Sequence, residues 1–428
     1  MHWATGVFMM GVRSDSFFSA EEYQARWARV HQAMAAGGYG HLLVWQRGAG
    51  TFDRVGDVWW LTNFVMNGSG QDPASEESGA PYTFCAVLIR RGLEPELHVG
   101  LPAEDLDLSQ VFCGRVITHA ENLMTGLAEY LSAQSIEGRI AVVGDDVLPG
   151  MYDRLLRRHT PQIEWHADET LLLGSQAIKS ARELEAYRTA GDMVTRALTA
   201  ACERALTAAC ESLLTGHSGA EAAADAAAIL MRAGGGFHRI DIHHGANTEH
   251  RVISTDLYGY HTTPPAAGDM VRAWIMGPIF QGYWMDPGRS LICGNQPTKP
   301  QRILLEGAVA VVDAVVAGMR PGITPRQLGV LGGAIARKHG YFDHAQLNIP
   351  LLGHGLSTNF IPYVIPIGVG EPDTDGALRY DVPLEAGMVM AAEIFLTHPG
   401  VGTAGFEQNL IVTDDGPELL TRTPMLFG

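Results

Sequence analysis

The sequence predicts an α+β protein of two domains, with an N-terminal α/β domain over residues 1–168 and a C-terminal α+β domain over residues 169–428. Its 428 residues exceed the roughly 100 to 200 that one domain usually takes. Short β-rich runs bounded by Gly, Pro and Asp fill the first domain. In the second, long strand-like runs are separated by long helical stretches, a pattern typical of an antiparallel sheet flanked by helices.

Composition narrows the classes of partner. Hydrophobic residues make up 46% of the chain and charged residues 18%, which is typical of a globular protein with a large interior. The formal net charge of −17 repels phosphate backbones and anionic lipid surfaces. We therefore expect a small-molecule substrate, and neither nucleic acid nor a membrane as a partner.

The cysteines and the N-terminus indicate the compartment. Five scattered cysteines form no C-x-x-C pair, so we expect no disulfide framework and no zinc knuckle. The opening stretch MHWATGVFMMGVR has no cationic segment ahead of its apolar patch, and no window approaches 18 consecutive apolar residues. These features predict a cytoplasmic protein.

The first domain begins with a helix. Ser19 is its predicted N-cap, Glu22 lies at the capping-box position, and glycines end it in AAGGYG. Short strands are predicted at HLLVWQ, VWWLTNF, FCAVLIRR and ELHVGL. The helical stretch ENLMTGLAEYLSAQ then precedes a strand at GRIAVVGDD, which completes a layered α/β pattern.

The second domain begins with a long helical stretch that contains no proline and starts near Ser180. Strands are predicted within GDMVRAWIMGPIFQGYWMDPGRSLICG, EAGMVMAAEIFLTHPG and GTAGFEQNLIVTDDG. Helices are predicted at PQRILLEGAVAVVDAVVAGM and TPRQLGVLGGAIARKHG.

Three carboxylates interrupt these apolar strands. Asp286, Glu393 and Glu407 occupy positions where an acid is rarely buried unless it is paired or binds a metal. Period-two alternation places Glu393 on a face with small neighbours, and places Glu407 on the same face as Asn409. His354 lies between two glycines and supplies a nitrogen ligand. Each residue alone also fits a surface acid, an ion pair or a core histidine.

The motifs together resemble a known family. In order along the chain they are FSAEEYQARWARVHQAM, IKSARELEAYRTAG, GANTEH, GDMVRAW, GYWMDPGRS, GHG, LEAGMVMAAE and FEQNLIVTDDG. They resemble the pita-bread fold group that includes aminopeptidase P, prolidase, methionine aminopeptidase, creatinase and dimethylsulfoniopropionate lyase. The resemblance spans nearly the whole chain and implies a creatinase-type N-terminal domain, a C-terminal pita-bread catalytic domain and a homodimer.

The resemblance also implies a metal site. The family's metalloenzymes hold two ions with an Asp-Asp-His-Glu-Glu set, whose last four members correspond to Asp286, His354, Glu393 and Glu407. Ile275 stands at the first position, and neither of its neighbours, Trp274 and Met276, is a ligand type. Since the missing aspartate serves one ion only, we expect a single divalent cation, namely Mn, Fe, Co or Zn. The alternative is a metal-free, creatinase-like site.

Two departures from the family pattern bear on the reaction. Ile361 stands where the peptidases have a histidine, and Asn359 and Phe360 stand where the lyases place an acid. We therefore predict a hydrolase that cleaves a carbon–nitrogen bond in a small molecule, outside proline-specific peptidase action. The alternatives are a metal-free creatinase-like hydrolase, a dimethylsulfoniopropionate-lyase-like enzyme, an Xaa-Pro peptidase and a non-catalytic binding protein.

Histidines and aromatic residues crowd the segment before Asp286. A general base needs a pKa near the working pH, which histidine provides without tuning. Creatinase-type members use a histidine from the loop after G-x-N-T, which favours His250, with His244 and His261 as further catalytic candidates. For substrate binding the aromatic candidates are Tyr258, Tyr283 and Trp284.

Overall fold

The structure, a computed structural model, describes residues 16–47, 56–66, 75–77, 84–119, 121–207, 217–249, 260–341, 351–361, 363–368 and 379–426. The chain divides into two units, Met1–Gln176 and Ala177–Gly428. The division falls after a helix at Thr170–Gln176 that packs on the first helix of the N-terminal unit. The boundary predicted from the sequence precedes that helix.

A six-stranded mixed sheet forms the centre of the described N-terminal unit. Its order is β4-β3-β2-β1-β5-β6, and β2 runs antiparallel to both of its neighbours. The strands are β1 (His41–Arg47), β2 (Phe84–Arg90), β3 (Glu96–Val99), β4 (Arg115–Thr118), β5 (Gly138–Val143) and β6 (Ile163–Ala167). The helices are α1 (Ala20–Ala36), α2 (Gly56–Thr62), α3 (Leu123–Ala133), α4 (Gly150–His159) and α5 (Thr170–Gln176).

The start of α1 confirms half of the predicted capping box. The Ser19 hydroxyl accepts a hydrogen bond from the Glu22 backbone N–H at 3.4 Å, as an N-cap does. The Glu22 carboxylate instead accepts from Arg26 Nε at 3.2 Å, one helical turn further on. Gly37 caps the C-terminal end.

The strand predicted at VWWLTNF is wrong, because Gly56–Thr62 of this segment form α2. Its β-branched and aromatic residues favour a strand on propensity alone, which tertiary packing overrides. The helical turn buries Val58, Trp60 and Leu61 together. Asn63, in the left-handed region at φ 58°, ends the helix and donates its backbone N–H to the Trp59 carbonyl.

The described C-terminal unit has a nine-stranded antiparallel sheet with helices packed on it. Its main order is β12-β11-β13-β14-β10-β8-β7, with β15 paired to β14 and β9 paired to β8. The strands are β7 (Arg239–His244), β8 (Met270–Phe280), β9 (Tyr283–Met285), β10 (Gly288–Ile292), β11 (Gly353–Leu356), β12 (Phe360–Ile361), β13 (Val389–His398), β14 (Gly402–Thr413) and β15 (Gly416–Leu419). The helices are α6 (Ala181–Thr207), α7 (Gly219–Arg232), α8 (Lys299–Gly318) and α9 (Pro325–Lys338).

The predicted α+β class is confirmed, and the long strands and helices of the second unit lie where the sequence predicts them. Strands β13 and β14 occupy the middle of the sheet, so both of their edges are paired. Their residues are almost all buried, as expected for central strands covered by helices. No helix in the described parts of the chain combines the length and apolar composition needed to cross a bilayer.

A buried arginine fixes β10 against β14. Arg289 is fully buried, and its guanidinium donates to the backbone carbonyl of Glu407 at 2.6 Å, to Gln408 Oε1 at 2.7 Å and to the Thr423 carbonyl at 2.8 Å. Burial lowers the pKa of Arg289 to about 10, so the side chain stays charged at neutral pH. These bonds join the end of the chain to the strand that carries Glu407.

Two buried histidines stack in the N-terminal unit. His98 of β3 and His119, which follows β4, have ring centroids 5.3 Å apart and nearly parallel planes. Nδ1 of His98 lies 3.0 Å from Nε2 of His119. Burial holds the pKa of His98 well below its usual value and lowers the pKa of His119 to about 4. Both rings are therefore neutral at pH 7.

This pair predicts acid lability. The pKa of His119 is lower in the folded chain, so its stabilisation is present above the unfolded value of 6.5 and is lost as the pH falls towards 4. The full loss is about 3 kcal/mol of unfolding free energy. A His119→Asn chain should therefore lose less unfolding free energy than the wild type between pH 7 and pH 4, measured by urea titration.

A suitable control is His159→Asn, which removes an exposed histidine at the end of α4 and should keep the wild-type pH dependence. The cavity left by His119→Asn lowers stability at every pH. The quantity compared is therefore the slope of the unfolding free energy against pH. Equal slopes for His119→Asn and the wild type would contradict the prediction.

Candidate metal centre

The structure brings the four predicted ligands together. Asp286 follows β9, His354 lies on β11, Glu393 on β13 and Glu407 on β14. Nε2 of His354 is 3.2 Å from Oδ2 of Asp286 and 3.6 Å from Oε1 of Glu393. Ligand atoms of Asp286, His354 and Glu407 all lie within 4.8 Å of one another. One small ion placed among these atoms would reach all of them.

The sheet register explains this convergence. Glu393 of β13 pairs directly with Glu407 of β14, and His354 of β11 pairs with Ala391, two residues from Glu393. Opposed residues of an antiparallel pair share a face, so all three functional side chains project to the same side. The alternation read from the sequence is therefore confirmed for β13 and β14.

Gly353 allows β11 to approach β13 closely. Its φ is +142°, and an added Cβ would lie 2.1 Å from the Ala391 carbonyl oxygen. Any larger residue at this position would push β11 away from β13. The glycine that precedes His354 thus serves a strand contact. The imidazole is oriented by the 3.1 Å hydrogen bond from its Nδ1 to the Gly355 carbonyl, which leaves Nε2 facing the acids.

Asn409 holds Asp286 in place. The sequence indicates this role only indirectly, because alternation puts Asn409 on the same strand face as Glu407. Its Nδ2 donates to Oδ1 of Asp286 at 3.0 Å, and its Oδ1 accepts from the Asp286 backbone N–H at 3.1 Å. Because Asn409 engages Oδ1, the other oxygen of Asp286 is the one directed at His354. The amide fixes the carboxylate without neutralising it.

The charged groups of the site shift one another's pKa values. Burial, reinforced by the nearby charges of Asp286 and Glu393, holds the pKa of Glu407 well above its usual value. Burial also opposes ionisation of Asp286, but interactions with Glu407 and His354 outweigh it and lower the pKa of Asp286. Against the effect of burial, the charges of Asp286 and Glu393 raise the pKa of His354 to about 9. His354 is therefore protonated at neutral pH, and Glu407 keeps its proton to a higher pH than an ordinary glutamate does.

One oxygen of Glu407 supports the fit to a metal ion. Oε1 is buried, and no amide, amine or hydroxyl in the described part of the chain donates to it. Glu407 and Asp286 also share a side-chain hydrogen bond, which needs a proton on one of the two acids, and a cation beside Oε1 would take the place of that proton. Three carboxylates and one imidazole form a hard, oxygen-rich donor set that suits Mn, Fe(II), Co or Zn.

Trp274, and not Ile275, faces the site from β8. The indole Nε1–H donates to Oε2 of Glu407 at 2.8 Å. Ile275, the next residue, is fully buried and pairs with Ile240 of β7, and alternation along β8 directs it to the opposite face. The family pattern, counted back from Asp286, gives Ile275, but the side chain of β8 that faces the acids is that of Trp274. The sequence analysis missed Trp274 because it considered only ligand types.

Three histidines of the segment before Asp286, namely His243, His244 and His261, lie close together. The ring of His261 lies 5.9 Å from that of His243 and 5.8 Å from that of His244. His243 pairs with Arg272, so it shares the face of Trp274, and burial lowers the pKa of His243 to about 3. His244 Nε2 is 2.8 Å from the Thr263 carbonyl and must donate to it. His250 lies outside the described residues, and catalytic roles for these histidines stay predictions.

The aromatic candidates are mostly committed to packing. The Tyr283 hydroxyl donates to Glu183 Oε1 at 2.6 Å, and its ring is buried beside Tyr187. This is the pairing that a buried phenol requires, and it ties β9 to α6. Trp284 is also buried, with its ring 5.9 Å from that of His238. Tyr258 lies outside the described residues.

Comparison with known proteins gives a family match. Residues 185–414 match the model of metallopeptidase family M24. The Xaa-Pro dipeptidase of Pyrococcus furiosus is 25% identical over 187 residues, which cover 44% of this chain and 45% of the relative. That of Pyrococcus horikoshii is 23% identical over 301 residues, which cover 68% of this chain and 75% of the relative. The match thus spans less than half the length of the first relative.

Solved structures match over almost the whole chain. The prolidase from Pyrococcus horikoshii superposes with a TM-score of 0.69 at 18% identity, covering 93% of this chain and 98% of that one. The Xaa-Pro dipeptidase from Bacillus anthracis gives the same TM-score and identity, covering 95% and 100%. At this identity the likeness concerns the fold, and it confirms the two-domain pita-bread architecture that the sequence motifs predict.

The protonated state of the site predicts that metal binding releases protons. A ligand must lose its proton to bind an ion, and His354 and Glu407 both have raised pKa values. Metal affinity should therefore rise with pH up to about pH 9, with at least about one proton, that of His354, released per ion at pH 7. Calorimetric titration with Mn²⁺ in two buffers of different ionisation enthalpy measures that number. Substitution of His354 by Gln should reduce it by about one.

A binding enthalpy that is the same in both buffers would contradict this prediction. His339→Gln is a matched control. His339 is the C-cap of α9, and the backbone hydrogen bonds of that helix end involve none of the four ligands. It should release as many protons as the wild type.

Proposed function

The chain belongs to metallopeptidase family M24, and from that premise we propose that it is a hydrolase that uses one divalent cation to cleave a carbon–nitrogen bond in a small, dipeptide-sized substrate. The observation that carries the proposal is that ligand atoms of Asp286, His354 and Glu407 lie within 4.8 Å of one another, with Oε1 of Glu393 3.6 Å from Nε2 of His354. The ion would be held by Asp286, His354, Glu393 and Glu407.

Enzymes of this family use divalent metals. Mn, Fe(II), Co and Zn all suit the donor set. When bound, such an ion polarises the scissile carbonyl and lowers the pKa of an attached water.

The protein's own residues would orient the acids and move protons. Asn409 holds Asp286 and Trp274 holds Glu407, so these two carboxylates are fixed as ligands. Glu393 is 9% exposed, compared with 5% for Asp286 and 2% for Glu407. As the most accessible of the three acids, Glu393 is the one we assign to accept the proton of the attacking water.

Proton delivery to the leaving nitrogen is proposed for a histidine. His244 is poorly suited, because its Nε2 proton is engaged by the Thr263 carbonyl. His261 lies beside His243, which shares the face of Trp274. The Asn247 side-chain amide lies 3.2 Å from Nε2 of His261 and orients that ring. His261 and His250 are therefore the candidates, and replacing each separately would distinguish them.

The proposed substrate class rests on the relationship to Xaa-Pro dipeptidases and on one departure from the family pattern, at Ile361. Relationship to Xaa-Pro dipeptidases favours a peptide bond over the carbon–nitrogen bond of another kind of small molecule, which the sequence analysis predicts. Ile361 stands where the peptidases of the resemblance have a histidine, which argues against strict proline specificity. We therefore propose short peptides as the first substrates to try, and other small amides as the second.

Metal content and turnover test the proposal together. Purified protein, stripped with a chelator and reloaded separately with Mn, Fe(II), Co or Zn, should retain about one ion per chain by elemental analysis. It should then hydrolyse members of a panel of dipeptides with and without proline and of simple amides. Glu393→Ala should lose the ion and reduce turnover more than about 100-fold, because it removes a ligand.

Glu385→Ala is the matched control, since Glu385 is an exposed acid just before β13 and should leave the ion and turnover unchanged. Turnover that survives without any retained ion would overturn the metal-dependent reaction and favour the metal-free alternative. A chain that binds the ion but hydrolyses nothing on the panel would overturn the proposed substrate class.

A further inference from the structure

Trp274 lies on a straight cross-strand line with Glu407. Trp274 of β8 pairs with Gly288 of β10, and Gly288 pairs in turn with Glu407 of β14. The indole therefore crosses over β10 to reach the carboxylate, and its Nε1–H meets Oε2 at 2.8 Å. Trp274 is 6% exposed, so this hydrogen bond is shielded from water.

The surrounding residues form a cradle for the ring. A Cβ at Gly288 would lie 1.8 Å from the indole, and one at Gly405 would lie 2.5 Å from it. Any side chain at either position would collide with the ring. On the sheet face the ring of Phe395 stacks against the indole, with centroids 4.9 Å apart and planes 23° apart. Three strands thus supply the space and the packing that one indole needs.

This arrangement affects how many ions the site can hold. A second ion of a two-metal site lies about 3.5 to 4 Å from the first, and it needs its own anionic ligands and a shared carboxylate. Here the indole supplies an N–H donor and no anion, and it engages the second oxygen of Glu407. The ring itself fills the space over Gly288 and Gly405, on the sheet face that Glu407 shares.

We propose that Trp274 makes the centre mononuclear by occupying the position of a second ion and by holding Oε2 of Glu407, so that only Oε1 faces the bound cation. Trp274 is a positioning residue, since it acts on the ion through Glu407. The inference rests on the proposed function and deepens it, because it identifies the structural element that limits the site to one cation.

Replacement of Trp274 by Asp tests the exclusion of a second ion. The carboxylate supplies the missing ligand and the loss of the ring opens the cradle, so metal per chain should rise from about one to about two. Elemental analysis after loading with Mn²⁺ and desalting gives the stoichiometry. The electron paramagnetic resonance spectrum should change from that of isolated Mn²⁺ to that of a coupled pair.

Replacement of Trp274 by Phe tests the hydrogen bond and preserves an aromatic ring in the cradle. This variant should hold one ion with Kd raised about 10-fold, the cost typical of losing a group that orients a ligand. It also keeps the inference testable if Trp274→Asp does not fold. Trp45→Phe, which changes a fully buried tryptophan of β1 in the other unit, should leave stoichiometry and Kd unchanged.

The outcomes separate this inference from the proposed function. Two ions in the wild type, one ion in a folded Trp274→Asp chain, or an unchanged Kd in Trp274→Phe would overturn the role of Trp274 and leave metal-dependent hydrolysis standing. A wild-type chain that retains no ion would overturn both.

Discussion

The pairing of β13 with β14 sets the constraint on which the site depends. It places Glu393 directly opposite Glu407 in a buried sheet, and Asp286 and His354 approach from neighbouring strands. Like charges at opposed positions destabilise a sheet, and burial raises the cost further. The unit therefore needs positive charge among these acids. The raised pKa of His354 lets its imidazolium supply part of that charge, the raised pKa of Glu407 lessens the negative charge, and the proposed cation would replace both protons.

Neutral and distant groups support the acids without neutralising them. Asn409 orients Asp286, Trp274 orients Glu407, and Arg289 binds the backbone carbonyl of Glu407. Asn409 and Trp274 both donate to the carboxylate oxygens as uncharged groups. The negative charge of the acids is thus preserved for whatever cation occupies the space between them.

Several features follow from the sequence because they depend on local periodicity. Alternation along GMVMAAEIF places Glu393 on the face of its small neighbours, and alternation along GFEQNLIV places Glu407 on the face of Asn409. The register of β13 with β14 then brings the two acids to the same side. The α1 cap and the long helices follow in the same way. VWWLTNF illustrates the limit, since a short apolar run fits either a strand or a helix until its packing partners are known. Tyr283 illustrates a second limit of sequence analysis, because its hydrogen-bond partner Glu183 lies 100 residues away in sequence.

By itself, the sequence determined the fold class, the family motifs and the identity of the four candidate ligands. Only the tertiary structure decided that Trp274 faces Glu407 while Ile275 points away. The pairing of β8 with β9 slips by one residue between Pro278 and Phe280. A slip of one residue moves a side chain to the other face of a sheet, so a fixed spacing counted back from Asp286 does not preserve the face. Pairing between distant strands, which no local pattern encodes, therefore determined which residue meets the acids.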